Sequence, residues 1–324
     1  MADPHEELLE SLWRRRLAWS TAAGKLKSRL AAARIWGLTL SSSGAALTAA
    51  AITVVPEQAR APCAVLGAVL LAVATLVTKQ LVTVDAVRAW TRARSVSEAL
   101  KAEVWLYRAR ADRYGGPDAA QRLSDETQKI ENQALDLERY LAAVELPAQL
   151  PDSKRPPPPM SQEEWVKARV LGQAEGYYRQ AARAMARRLA VFRGVEFGLG
   201  LFAAASGAAV AWLSSQGDAS LHRASTPLAP WVAVLTTIGG AIAAHIAASR
   251  YDFLVMSYHA TARRLESLVE RWRSVGAPGE GKGWSEFVNA CEAAISVENE
   301  GWLAKWGEQE PEVKSAVAAA AAHG

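Results

Sequence analysis

Seven ionisable side chains sit inside or at the rim of long apolar stretches: Arg34, Lys79, Asp85, Arg193, Glu196, His245 and Asp252. In a hydrocarbon layer such groups must pair, reach an interface or face water, which makes them the first candidates for function. Arg34 and Asp85 stand at the ends of two adjacent apolar runs, and Arg193 and Asp252 at the ends of two others. The spacing predicts one interfacial ion pair per run pair, in a structural or a functional role. Lys79 and His245 fall about 9 and 10 Å above the matching aspartates at ~1.5 Å per helical residue, and Glu196 lies one turn above Arg193. These three can line an aqueous path, while snorkelling to the near interface is the other reading for Lys79.

No other chemistry is spelled out. There is no metal-ligand spacing, no phosphate loop ending in Gly-Lys-Ser/Thr and no nucleophile elbow, so no enzyme activity, catalytic residue, metal or cofactor is expected. Gly198-x-Gly200-x-x-Ala203 fits a dinucleotide fingerprint by letters alone, but lies within an apolar run with no strand before it. Those glycines and alanines suit close helix packing in lipid instead.

The elements that position these residues follow from the apolar runs. They extend from about 35 to 55, 62 to 84, 194 to 214 and 228 to 249, each close to the ~20 residues that cross ~30 Å of hydrocarbon. Runs this long without alternation predict helices and not barrel strands, because a helix satisfies its own backbone in lipid. The fold class is therefore all-α, a multi-pass membrane protein of two helical hairpins with long cytoplasmic helical extensions. About thirty polar and charged residues precede the first run, so it is expected to remain as an anchor and not to be removed as a signal peptide.

The net charge is +4, and its distribution carries the information. Arg14, Arg15, Arg16, Lys25, Lys27, Arg29 and Arg34 precede the first run, and Arg88, Arg92, Arg94 and Lys101 follow the second. Arg179, Arg183, Arg187, Arg188 and Arg193 precede the third, and Arg250, Arg263 and Arg264 follow the fourth. The short connections hold only Arg60 and Arg223. Cationic residues resist translocation, which places both termini and the middle segment on the cytoplasmic side of the cell's inner membrane. The bilayer then accounts for the basicity, and nucleic acid is not an expected partner. Cys63 and Cys291 fall on opposite sides in this topology and cannot pair.

The two halves repeat one another. Arg29-Leu30-Ala31, Arg34 and Ser43-Gly44-Ala45-Ala46 correspond to Arg188-Leu189-Ala190, Arg193 and Ser206-Gly207-Ala208-Ala209. Asp85, Trp90, Glu98 and Ile130-Glu131-Asn132 correspond to Asp252, Tyr258, Glu266 and Val297-Glu298-Asn299. The offset drifts only from 159 to 168, as expected of a duplication with loop insertions. Both repeats enter and leave on the same side, unlike the inverted repeats of many carriers. The expected domains are 1–146, a Pro-rich linker at 147–161, a second repeat at 162–311 and an Ala-rich tail at 312–324.

Apolar stripes at steps of three and four flank the runs, at Val96, Leu100, Val104 and Tyr107, and again at Tyr258, Ala262, Leu265 and Val269. They predict helices packing on one another or on a second copy. Each repeat reads as basic helix, span, turn, span, long continuing helix, break, and a closing helix packed back. Breaks are expected at Gly115-Gly116-Pro117 and across 276–283. Pro156 to Pro159 predict an extended spacer, and Ser161 with Glu164 a capping box restarting helix at Gln162.

Arg188 to Arg193, Tyr251-Asp252, Tyr258 to Glu266 and above all the terminal motif Glu298, Asn299, Trp302 and Trp306 resemble the SLATT superfamily, the two-transmembrane effector domains associated with bacterial SMODS and SLOG proteins. The first half matches more loosely, with Ile130-Glu131-Asn132 but Leu135 and Tyr140 in place of tryptophans. The resemblance implies a tandem member acting as a membrane effector in bacterial conflict systems, forming pores or perturbing the membrane when a sensor signals through a nucleotide. No nucleotide-sensing motif is recognisable in the chain, so a separate sensor protein is an expected partner. One chain offers too few spans for a wide pore, so homo-oligomers are expected. The alternative is a membrane-anchored scaffold whose helical body binds a partner protein.

Overall fold

From Pro4 the chain runs as one uninterrupted helix, α1, to Thr53, with Glu6 and Glu7 in the first turn where the helix dipole favours negative charge. The computed structural model describes residues 4–216, 220, 227–279 and 281–307, with the backbone alone described for 297–307. Helix α1 ends where Pro56 removes an N–H and restricts the residue before it. Helix α2 follows at Glu57–Leu81 and α3 at Val84–Arg108. A 3₁₀ turn at Asp112–Tyr114 leads to α4, Ala119–Asn132, and a second 3₁₀ turn at Leu135–Leu137 to the short α5, Glu138–Leu141. Helix α6 covers Gln162–Ser215, with π-type bonding at Val166–Leu171 and Ala174–Arg179. Helices α7 (Ala229–Ser249), α8 (Tyr251–Ser274) and α9 (Gly281–Gly307) complete the chain, and no strand occurs among the described residues.

Four stretches are long and apolar enough to cross a membrane: Pro4–Thr53, Glu57–Leu81, Gln162–Ser215 and Ala229–Ser274. The expected long continuing helix after each second span is broken in both halves. Val82 and Thr83 separate α2 from α3, and Arg250, at φ 48° and ψ 40°, separates α7 from α8. The left-handed residue lets the chain leave α7 while its N–H still bonds Ile246 and Ala247, closing the helix end. The capping box at Ser161 is present: Glu164 N–H donates to Ser161 Oγ at 3.3 Å, and Ser161 N–H donates to Glu164 Oε2 at 2.7 Å.

Contacts divide the chain into two units that are not its sequential halves. A charged unit takes the chain up to Ser28, Val84–Ala182 and the part from Met256 onward. An apolar unit takes Arg29–Thr83 and Arg183–Val255.

In the charged unit, α9 and α4 pack along α3. Leu100, Val104 and Leu265, all on the expected stripes, are fully buried, as are Trp19, Trp165 and Tyr178. The two halves interlock here. Trp284 donates from Nε1 to the Ala109 carbonyl at 2.8 Å, and Trp165 to the Trp105 carbonyl at 3.0 Å. Rings of Trp165, Trp272, Trp284 and Phe287 lie 5.0–6.5 Å apart in edge-on, tilted and stacked pairs, geometries that aromatic quadrupoles favour.

The proline-rich segment is extended, with Pro151 and Arg155 near polyproline II angles, yet it is strapped down and is no free spacer. Lys25 donates to the Ala143 carbonyl, Arg14 to those of Pro147 and Ala148, Trp13 to Lys154 and Arg108 to Pro157, at 2.6–3.0 Å. Proline removes backbone donors but keeps its carbonyls, and two of these five acceptors, on Pro147 and Pro157, are proline carbonyls.

In the apolar unit, Gly44 of α1 meets Gly67 of α2 so closely that a Cβ on Gly44 would come 2.8 Å from the Gly67 carbonyl. At the far end Trp231 Nε1 donates to Thr53 Oγ1 at 3.2 Å, linking the second hairpin to the first.

Candidate functional site

The residues singled out from sequence do not converge on one place. Arg193 and Asp252 meet at 2.8 Å, with 59% and 57% of their side chains exposed. Asp85 belongs to the first turn of α3 in the charged unit, is 94% exposed and lies 4.0 Å from Arg88. Arg34 belongs to the apolar unit and is half-buried, with Tyr251 and His245 as electrostatic neighbours. His245 is half-buried on α7: its Nε2 lies 3.4 Å from the Tyr251 hydroxyl and 3.5 Å from Ser249 Oγ, and its ring packs 4.9 Å from Phe192. A polar cluster thus joins the α1 arginine of the first half to the α7–α8 break of the second. Lys79 is exposed in the last turn of α2, and Glu196 is half-buried on α6. The side chains of Glu298, Asn299, Trp302 and Trp306 lie outside the described residues.

Sequence reasoning missed a second constellation, in the core of the charged unit. Arg169 is 1% exposed; it donates from Nε and Nη2 to the two oxygens of Glu292 at 2.7 and 2.6 Å. Burial opposes its charge, but Glu292 outweighs that and raises its pKa. The guanidinium also stands 5.5 Å above the Trp105 ring, a favourable cation–π placement. Cys291, next to Glu292, is buried, which pushes its thiol pKa up and leaves it unreactive.

Beside this pair lies a charged network. Glu98 accepts from Lys101 at 3.5 Å. Burial alone would raise the Glu98 pKa, but Lys101, Arg16, Arg169 and Arg94 together hold it low. Burial brings the Lys101 ammonium down to about 8 despite Glu98, and it also lowers Arg16. The duplicated counterpart of Glu98 is Glu266, and it too is held by an arginine, Arg179, in a two-pronged pair at 2.8 and 2.6 Å. The two arginines do not correspond in the repeat: at the local offset of 159 Arg16 matches Glu175 and Arg179 matches Ser20, so only the glutamates are duplicated. At the end of α3, Glu103 accepts from Arg113 at 2.5 Å and from the Tyr114 hydroxyl. Among the described residues, no three His, Cys, Asp or Glu side chains gather to hold a metal ion.

Comparison with known proteins divides along the duplication. Residues 165–302 match the family described as SMODS and SLOG-associating 2TM effector domain 1, and residues 17–122 match a family described as a protein of unknown function, DUF4231. No curated protein matches the chain, and no solved structure does.

Proposed function

We propose, from the premise that this chain belongs to the SLATT family as a tandem member, that it is a membrane-embedded effector whose copies assemble into a pore. A SLATT domain is a two-transmembrane effector domain of bacterial defence systems, and four apolar helices give this chain two such hairpins. In this reading the protein sits in the inner membrane with its termini and charged unit in the cytoplasm. It is no enzyme, and it receives its signal from a separate sensor protein. The observation that carries assembly is the uncovered second hairpin. A Cβ on Gly198, Gly200, Gly239 or Gly240 would meet nothing within 4 Å, and only 6% of the apolar window of α6 is buried. Small residues with open space in front of them admit a neighbouring helix at close range.

A second reading, a membrane-anchored scaffold, draws on the hydroxyl groups of the spans. Thr48, Thr75, Thr78, Thr236 and Thr237 each donate to a carbonyl one turn back in their own helix. They are satisfied in lipid without lining water, so the spans can serve as an anchor for the helical body.

Planar-bilayer conductance of purified protein, alongside its stoichiometry in a membrane mimetic, decides between the two. The pore reading expects discrete conductance from oligomers. A monomer with no conductance supports the scaffold and sinks the pore.

A further inference from the structure

The stem of α6 that leads into the second hairpin carries a concentration of charge whose partner neither reading names. Residues 176–195 hold five arginines and no acidic residue. Two of the five are spent, Arg179 on Glu266 and Arg193 on Asp252. Arg183, Arg187 and Arg188 are exposed and belong to the apolar unit, and among the described residues no ion pair holds them. Arg183 and Arg187 stand one turn apart, and like charges at that spacing repel unless something of opposite sign lies against them. Arg187 bends back to donate from Nε to the Arg183 carbonyl at 3.4 Å. Its side chain therefore reaches toward the start of the helix and away from the span, the direction in which helical side chains already incline. The stem ahead of the first span differs. There Arg14 and Lys25 are engaged by backbone carbonyls, Arg15 by Glu131, and Arg16 packs on the Trp13 ring.

We infer that Arg183, Arg187 and Arg188 form a docking surface for the headgroup phosphates of anionic phospholipid. The partner follows from where the bare apolar surface begins. Val191 is 64% and Phe197 74% exposed, so that surface starts within one turn of Arg188. At ~1.5 Å per residue, Arg188 and Arg187 precede Val191 by about 4.5 and 6 Å along the helix. The polar layer of a bilayer is about 5–7 Å deep on each side of the hydrocarbon, so both stand within it. Arg183, about 12 Å out, faces that layer from the water side. Guanidinium forks match phosphate oxygens two at a time, and an anionic leaflet attracts cations placed next to a span.

The inference rests on the membrane reading and not on pore formation, and the test separates the two. The full chain in non-ionic micelles is supplied with equal phosphatidylglycerol and phosphatidylcholine of identical acyl chains, and retained lipids are counted by native mass spectrometry. Phosphatidylglycerol should be preferred at least about tenfold. Arg187→Gln and Arg188→Gln should each lower that preference about fivefold, the worth of one cation beside an anionic surface. Arg183→Gln, Arg187→Gln and Arg188→Gln combined should abolish it. Arg122→Gln, Arg139→Gln and Lys167→Gln combined remove as much charge from exposed positions of the charged unit and should leave the preference unchanged. Inorganic phosphate, set against KCl of matched ionic strength, should not displace the lipid; displacement by phosphate alone assigns the surface to a free anion and overturns the proposal. Equal retention of the two lipids overturns it by itself, and retention of neither overturns it together with the membrane reading. An unchanged preference in the combined α6 variant, or an equal loss in the charged-unit variant, overturns it too. Where the combined α6 variant fails to fold, the single variants decide: if neither lowers the preference, the surface is overturned.

Discussion

The charged unit covers its large side chains and the apolar unit does not. Trp19, Trp165 and Tyr178 are 2% exposed or less, whereas Phe197, Phe202 and Trp212 are 74%, 62% and 63% exposed. The same residue types obey one rule in two solvents. In water an apolar ring gains by leaving the surface, while in hydrocarbon there is no such gain and the backbone must be satisfied within each helix. Polar groups invert accordingly. The charged unit tolerates Arg169 in its core because Glu292 meets it with two hydrogen bonds, while in the apolar unit Arg193, midway along α6, meets Asp252 of the first turn of α8 with both side chains more than half exposed.

The largest test of this contrast is Glu292→Ala. It strands a guanidinium in the core, and the expected loss is about 3–5 kcal/mol, read as a lowered unfolding midpoint in micelles. A loss below about 1 kcal/mol would mean that Arg169 escapes to solvent or that the pair is not buried. In the apolar unit the equivalent sensitivity lies in glycine. Gly44→Ala drives a Cβ toward the Gly67 carbonyl and should destabilise by about 1–3 kcal/mol. Its repeat counterpart Gly207→Ala meets only Val232 Cγ1, at 3.9 Å, and should be neutral or stabilising by up to about 1 kcal/mol. Equal effects at both positions would erase the difference between the hairpins.

A smaller effect comes from pH. The folded-state pKa of Lys101 is depressed to about 8 from an ordinary 10.5. Between those values the unfolded chain binds more protons, so the contribution of this residue to stability rises with pH across that window and is lost as pH falls through 8. Lys101→Met should remove that part of the pH dependence; parallel curves for the two proteins would contradict the burial of the ammonium. The smallest expected effect is Asp252→Asn. An ion pair more than half exposed contributes about 0–1 kcal/mol, so unfolding should barely move. A loss comparable to Glu292→Ala would place the pair in a far less polar setting than the charged unit provides for Arg169.

Helix content and the four spans were legible because length and composition decide them. Leu100, Val104 and Leu265 were legible as core because their spacing sets one helix face. The breaks were harder. Arg250 carries no helix-breaking chemistry, and only tertiary structure puts it in the left-handed region. The proline-rich strap was readable as extended, but its docking depends on Trp13, Arg14 and Arg108, whose donors belong to helices far away in sequence. Arg169 and Glu292 were invisible for a similar reason. Long-range pairing leaves no periodic signature, and an arginine between Val166 and Val170 reads as an interruption of the apolar stripe. Of the candidate residues, Arg193 and Asp252 form an ion pair, while Arg34 and His245 are electrostatic neighbours.

Crossing of the bilayer by all four apolar helices is the claim on which the rest stands, and thiol labelling of intact cells with a membrane-impermeant reagent tests it most directly. In a background carrying Cys63→Ser and Cys291→Ser, Arg60→Cys should label from outside, whereas Arg29→Cys and Arg188→Cys should label only after permeabilisation. Labelling at position 29 or 188 in intact cells, or protection at 60 while the protein is in the membrane, would contradict the account.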